Sequence, residues 1–362
     1  MSTVRIVEQK DYELDTLKEK LLEVLDWENF DEIKDKKILV FFDNTLPNIN
    51  LLKALNNILI EKGAKTVEFG TSIILPNQNE LWPLFEAQGL KFHDFRNEPY
   101  EEFEVDLKAK KTQHFLGYQI LSPGQYQMEK SFEKSDAFKV RTLKKVFIPE
   151  TFAESDYIVP VVKLKDSPVS KIGGFLNSLL YLVPTNLRSE IFLKILSAKF
   201  GDALLDVYGV IKNSILFGVV DAVEGELTNS EEDKFGLLMS SKDLLALDSV
   251  ISVLVGFRSS DIETNKLGSI YDLGHGLLKE VVIDGTDFLK LRKELVRKMN
   301  FSKFYERKSF PTIKGQDREF DYIGLYCPTG AIEKLNSKYS INKSKCIKCN
   351  FCVELAPKLF NT

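Results

Sequence analysis

Cysteine is missing from the first 326 residues of this 362-residue chain, and its four cysteines all fall in the last 36. Disulfide frameworks are usually spread along a secreted chain, so this clustering points to a bound metal. Histidine is nearly absent: His93, His114 and His275 are scattered, and no H-E-x-x-H pair exists. There is also no G-x-S-x-G elbow and no G-x4-G-K-[ST] loop, so hydrolase and kinase readings have no support. No apolar run approaches the ~20 residues that span a bilayer; the most apolar stretches are Ile215–Val220 and Val250–Phe257. The N-terminus lacks the apolar stretch of a secretory signal. Net charge is only −4, with pI near 5.7, which does not suit a chain devoted to nucleic acid. A cytoplasmic protein with no membrane span and no nucleic-acid partner is expected.

What the chain has is apolar periodicity. Val4–Val7 reads as a strand, and Tyr12–Asp26 as a helix with Leu14, Leu17, Leu21 and Leu25 at helical spacing. Lys37–Phe42 is a near-continuous apolar strand suited to burial on both faces. A helix over Leu51–Lys62 ends at Gly63, and a strand follows at Thr66–Phe69. This strand–helix–strand order predicts a mostly parallel α/β sheet flanked by helices. An exposed turn is expected at Lys108–Gln113, and one or two strands within Phe138–Ile148. Further strands are expected at Tyr157–Val162, Ile215–Val220, Phe235–Met239 and Glu280–Ile283, with helices at Phe175–Leu182, Ile191–Val207 and Ser241–Gly256. Between Thr286 and Lys314 there are nine Lys/Arg against three Asp/Glu, in a helix that becomes a connector. Three parts are expected: an α/β domain over 1–285, a basic helix and connector over 286–316, and a small α+β module over 317–362.

The module reads Cys327-Pro-Thr-Gly-Ala-Ile and then Cys346-Ile-Lys-Cys349-Asn-Phe-Cys352. A C-x2-C-x2-C run wraps three thiolates around one face of an iron–sulfur cubane. In two-cluster ferredoxins the fourth ligand of each cluster comes from the other cluster's Cys-Pro run. Cys327, followed by Pro328, fits that position. The partner cluster would need cysteines at 317, 320, 323 and 356, which are Asp317, Phe320, Ile323 and Ala356. One complete ligand set is present and the other is wholly absent. Ala331–Lys334 and Tyr339–Asn342 alternate as a hairpin. The module therefore resembles a bacterial-type ferredoxin domain reduced to one [4Fe–4S] cluster held by Cys327, Cys346, Cys349 and Cys352. The competing expectation is a four-thiolate zinc site, although zinc modules usually pair two C-x2-4-C arms.

The body resembles the family catalogued as domain of unknown function 362 (DUF362). The carriers are Lys37–Asn44, where Asn44 matches and Phe42-Asp43 stand for Lys-Pro, and Val159–Lys165, where Lys163 and Lys165 match and Asp166-Ser167 stand for Thr-His. Asn177–Pro184 resembles a helix that usually carries Lys-Asn, with Asn177-Ser178 here. Val220–Gly225 resembles a V-D-x-x-x-G turn, and Leu237–Phe257 a strand and helix in which Asp243 and Asp248 match. The resemblance implies an α/β fold and frequent ferredoxin-type cysteines, and it supplies no reaction.

Candidates in the body are Lys163 and Lys165, two apart at a strand end where an anion could bind, and Asp221 as a base or metal ligand at the same edge. Each also fits a structural role, as solvated lysines or a turn aspartate. Asp243 is expected to cap a helix, and Asp248 to be structurally paired. Gly173–Gly174 fits a phosphate cradle or close packing. Gly274-His275-Gly276 lacks the third glycine of a dinucleotide site. The expected function is electron transfer or redox chemistry linked to a pocket in the α/β domain, with a redox partner protein or an anionic small molecule as partner. The alternative is a non-enzymatic binding or redox-sensing protein with a structural cluster.

Overall fold

The computed structural model describes residues 1–26, 29–72, 74, 80–105, 142–227, 234–298 and 310–361. The expectations for Lys108–Gln113, for His114 and for the connector after residue 298 lie outside them, as does the start of Phe138–Ile148.

Strands β1 (Ser2–Glu8), β2 (Lys37–Phe42), β3 (Thr66–Thr71), β4 (Lys91–Asp94), β7 (Tyr157–Ser167), β9 (Gly218–Glu226), β10 (Lys234–Ser241) and β11 (Val281–Gly285) form one mixed sheet. Its order is β11-β1-β10-β9-β7-β2-β3-β4, with the short β8 (Lys171–Ile172) hooked onto the end of β7. Strands β9, β7, β2, β3 and β4 run parallel, and β10 is antiparallel to both β9 and β1. A separate pair joins β5 (Tyr100–Glu104) to β6 (Lys145–Pro149).

Alternation along β2 sorts the two faces. Ile38, Val40 and Phe42 pack with α1 (Leu14–Val24), α2 (Ile49–Glu61) and α3 (Leu81–Ala87). Leu39 and Phe41 face the other layer. That layer holds α4 (Glu150–Ala153), α5 (Phe175–Ser178), α6 (Thr185–Leu193), α7 (Phe200–Ile211), α8 (Leu244–Leu254), α9 (Glu263–Ile270) and α10 (Phe288–Lys298). The result is a three-layer α/β/α arrangement, each face of the sheet buried as its near-continuous apolar strands require. Gly63 ends α2 in the left-handed region (φ 102°), the position where a side chain is strained and glycine is favoured.

Two expected elements are placed differently. The helix over Ile191–Val207 is two helices, α6 and α7, because Ala198 adopts a left-handed conformation (φ 54°) and breaks the run. The strand expected to end at Val220 begins at Gly218 and continues to Glu226, paired on both sides by β7 and β10, so Asp221 lies inside the strand.

The C-terminal part has α11 (Glu319–Leu325), the hairpin of β13 (Ile332–Leu335) and β14 (Lys338–Ile341), and α12 (Phe351–Leu355). Asn336 and Ser337, both left-handed, make the two-residue hairpin turn. Strands β12 (Thr312–Ile313) and β15 (Phe360–Asn361) pair across the module's two ends. Phe320, Ile323, Tyr339, Phe351 and Phe360 belong to the same apolar core as the body's second layer, so the module is packed onto the body. No helix among the described residues is long and apolar enough to cross a membrane.

Candidate functional site

Cys327, Cys346, Cys349 and Cys352 line one cavity, with apolar walls that include Ile323, Ile332, Ile341 and Leu355. It holds about 410 Å³ of atom-free space, part of it open to solvent. Loop geometry turns the backbone toward the sulfurs. Lys348 and Asn350, inside the C-x2-C-x2-C run, are both left-handed (φ 56° and 58°). The Ala331 amide donates to Cys327 Sγ at 3.2 Å, and backbone N–H groups of Lys348 and Phe351 hold the Cys346 and Cys349 thiols somewhat down.

Burial, reinforced by neighbouring thiols, pushes the Cys349 thiol up to about 12 and that of Cys352 well above its ordinary value. Burial likewise raises Cys346. Thiolates here would need a cationic centre among them, and four sulfurs around one space are the donor set an iron–sulfur group would use. Among the described residues, no three or more His, Cys, Asp or Glu side chains are grouped as ligands of a single ion.

Where a second cluster's ligands would stand, Phe320 and Ile323 are buried. The Phe320 ring packs against Tyr339 and Phe360 at 5.2 and 5.4 Å. That space is apolar core.

Helix α12 ties the cysteine loop to the body. Phe351 packs on Phe192 at 4.7 Å and on Tyr181 at 6.1 Å. Glu354, two residues after Cys352, accepts hydrogen bonds from Ser167 Oγ at 2.5 Å, Asn177 Nδ2 at 2.9 Å and Tyr181 Oη at 3.2 Å. Ser167 ends β7, and Asn177 lies on α5.

Beside these groups lies the switch point of the sheet. The chain leaves β2 toward β3 on one side and later returns as β7 on the other; open α/β sheets bind ligands outside strand carboxyl ends at such a reversal. Asp43, just after β2, meets Lys165 of β7 there, with Lys165 Nζ 2.7 Å from Asp43 Oδ2, 2.8 Å from Thr45 Oγ1 and 3.3 Å from Asn44 Oδ1. Both charged side chains are almost wholly buried. Burial alone would lower the Lys165 ammonium, but Asp43 and then Glu354 more than offset it, so its pKa stands above the ordinary value. A Cβ on Gly173 would fall 2.2 Å from Lys165 Cγ, so glycine is needed there for the lysine to pass.

Of the other candidates, Lys163 faces Glu226 at 3.7 Å and Asp221 on the neighbouring strand. Asp221 is fully buried. It accepts from Tyr12 Oη at 2.8 Å, the Asn48 amide at 3.1 Å and the Val223 amide at 3.3 Å, and so fastens the loop after β2. Burial raises its carboxyl. Asp243 caps α8 through the amides of Leu245 and Ala246. Asp248 accepts from the amides of Phe175 and Leu176 at 2.7 and 3.1 Å. The N–H groups after Gly173–Gly174 thus face the chain's own carboxylate. His93 lies between Glu68 and Glu98, and His275 between Ser2 and Asp243. Sequence reasoning did not single out Glu354, Tyr181 or Asp43 as site residues. The one available signal was a glutamate inside the apolar run after Cys352.

The comparisons bear on the body. The DUF362 family, described as a domain of unknown function, matches residues 124–252. That segment holds Lys163, Lys165, Asn177, Asp221, Asp243 and Asp248, and is shorter than the 1–285 over which the resemblance was read. No curated protein matches the chain. Among solved structures, the lactate racemase apoprotein from Thermoanaerobacterium thermosaccharolyticum is similar at 12% identity and a TM-score of 0.41, with 70% of this chain covered. The chain spans 57% of that structure's length.

Proposed function

We propose that this chain is a redox protein carrying one [4Fe–4S] cluster on Cys327, Cys346, Cys349 and Cys352. In this reading the 317–361 module is a ferredoxin-type fold that has kept one cluster and filled the other with Phe320 and Ile323. The cluster, when bound, supplies one-electron chemistry. The observation that carries the reading is that all four cysteines line one cavity, with the Ala331 amide donating to Cys327 Sγ. A zinc module would usually pair two C-x2-4-C arms, whereas a triplet with a lone Cys-Pro is the ligand pattern of a cubane.

The rest of the chain positions that centre. Phe351 and Glu354 hold the cysteine loop against α6, α5 and the carboxyl end of β7, the kind of strand end where an α/β sheet presents its ligand site. Electrons would pass between the cluster and a small molecule or partner protein at that edge. A non-catalytic sensor with a structural cluster shares the same ligands and differs in having no strand-end substrate.

Anaerobically purified protein tests this directly. About four irons and four sulfides per chain are expected, with an electron paramagnetic resonance signal appearing on dithionite reduction. Stoichiometric zinc without iron would sink the cluster. A reduced signal that a metabolite reoxidises would favour the enzyme over the sensor.

A further inference from the structure

Arg188 on α6 is 3% exposed. Its Nε donates to the Leu180 carbonyl at 2.5 Å and its Nη2 to the Val183 carbonyl at 2.9 Å, while Nη1 has no hydrogen-bond partner among the described residues. No carboxylate pairs with it there either. Asp94, which lies in the same region, is engaged by Arg96 through Nε and Nη2 at 2.8 to 3.1 Å. The groups acting on Arg188 include Tyr181, Tyr100, Tyr326 and the Arg96 guanidinium, and burial holds its pKa below the ordinary value. A buried guanidinium without a counter-ion is costly, so an anion nearby is needed to offset it.

The lysines of the strand ends have their anions already, Asp43 for Lys165 and Glu226 for Lys163. Arg188 does not. Its guanidinium carbon lies 5.7 Å from the Tyr326 ring and 6.0 Å from the Phe351 ring. Tyr326 directly precedes Cys327, Phe351 directly precedes Cys352, and both line the cysteine cavity. One layer of aromatic side chains therefore separates the cation from that cavity.

We infer that Arg188 is the counter-charge that the α/β body supplies to the cluster, and that it holds the cluster's reduction potential up. The inference rests on the cluster reading proposed above. A thiolate-ligated cubane is anionic in both states, and reduction adds one electron and one more negative charge, with no bond made or broken. A fixed cation behind Tyr326 and Phe351 favours the reduced form more than the oxidised one. Arg188 is a positioning charge, with no role as an electron carrier.

The test is a potentiometric titration of the iron-loaded full chain, followed by the reduced cluster's paramagnetic signal. A unit charge ~10 Å away at an effective dielectric of ~20 shifts such an equilibrium about tenfold, which for one electron is about 59 mV. In Arg188→Met the potential should move negative by about that much, and in Arg188→Lys it should stay near the wild-type value. Should Arg188→Met not fold, Arg188→Gln decides. It removes the charge and keeps an amide donor for the Leu180 and Val183 carbonyls, so the same negative shift is expected. An unchanged potential in an iron-replete variant overturns the inference and leaves the cluster standing. Iron-free wild-type protein removes the cluster reading and this inference with it.

Discussion

Asp248 should make the protein lose stability as pH rises through neutrality. Its carboxylate sits on α8 with 1% exposure, bound to the amides of Phe175 and Leu176. A Cβ on Gly174 would fall 2.2 Å from Asp248 Oδ1, so nothing larger than glycine fits over it. Burial pushes this carboxyl up to about 7, against the pull of the two amides. A folded pKa above the unfolded value means that the folded state binds the proton more tightly. The associated stability is fully present below about pH 4, the unfolded value, and lost as pH rises through 7. A shift of about three units corresponds to ~4 kcal/mol, an order-of-magnitude figure. Asp248→Asn removes the titration. It also sets an amide NH2 against one backbone N–H, leaving a buried donor unpaired at a cost of ~1–3 kcal/mol. The variant should therefore be less stable than wild type at pH 5 and equal or better at pH 8. Urea unfolding followed by circular dichroism at the two pH values reads this crossover. A wild-type pH slope that persists unaltered in Asp248→Asn would refute the reasoning.

Two further substitutions probe the joint between module and body. Glu354→Ala strips the shared acceptor from Ser167, Asn177 and Tyr181, each left unpaired at ~1–3 kcal/mol at most. The C-terminal module should then be cut faster by protease and the body should melt at a lower temperature; unchanged protection would show that Phe351 packing alone holds the joint. Lys165→Met leaves Asp43 charged and buried, which should cost ~3–5 kcal/mol. The double variant Lys165→Met/Asp43→Leu should recover most of that in thermal unfolding, and strict additivity of the two single effects would count against the pair.

Much of the fold was readable because its strands are apolar on both faces and its turns carry specific residues. Lys37–Phe42 is a strand with the bounds expected, and Asp243 caps α8 as its place before an apolar helix suggested. The C-x2-C-x2-C run and the lone Cys327-Pro328 do line one cavity. What failed was governed by tertiary contacts. Nothing local marks Ala198 as the break between α6 and α7, since alanine favours helix and the left-handed turn is imposed by how the two helices pack. Asp221 looked like a strand-end residue, yet β9 runs on because β7 and β10 pair with it on both sides. Arg188 gave no signal at all, because the absence of a partner for a side chain is visible only once its surroundings are in place.

The strand-end lysines show how context changes a reading. Lys163 and Lys165 point to an anion when read alone, since two lysines on one strand end carry two charges. In the fold Lys165 meets Asp43 at 2.7 Å, and Glu354 also acts on it. Lys163 faces Glu226 and Asp221. Counting only these groups, two cations stand among four carboxylates. A ligand that sought Lys165 would have to displace a buried carboxylate already in contact, and losing that pair is costly for Asp43. Both strand-end lysines thus already have carboxylates beside them, a pairing that the spacing of two lysines along one strand could not reveal, because each carboxylate comes from a different part of the chain.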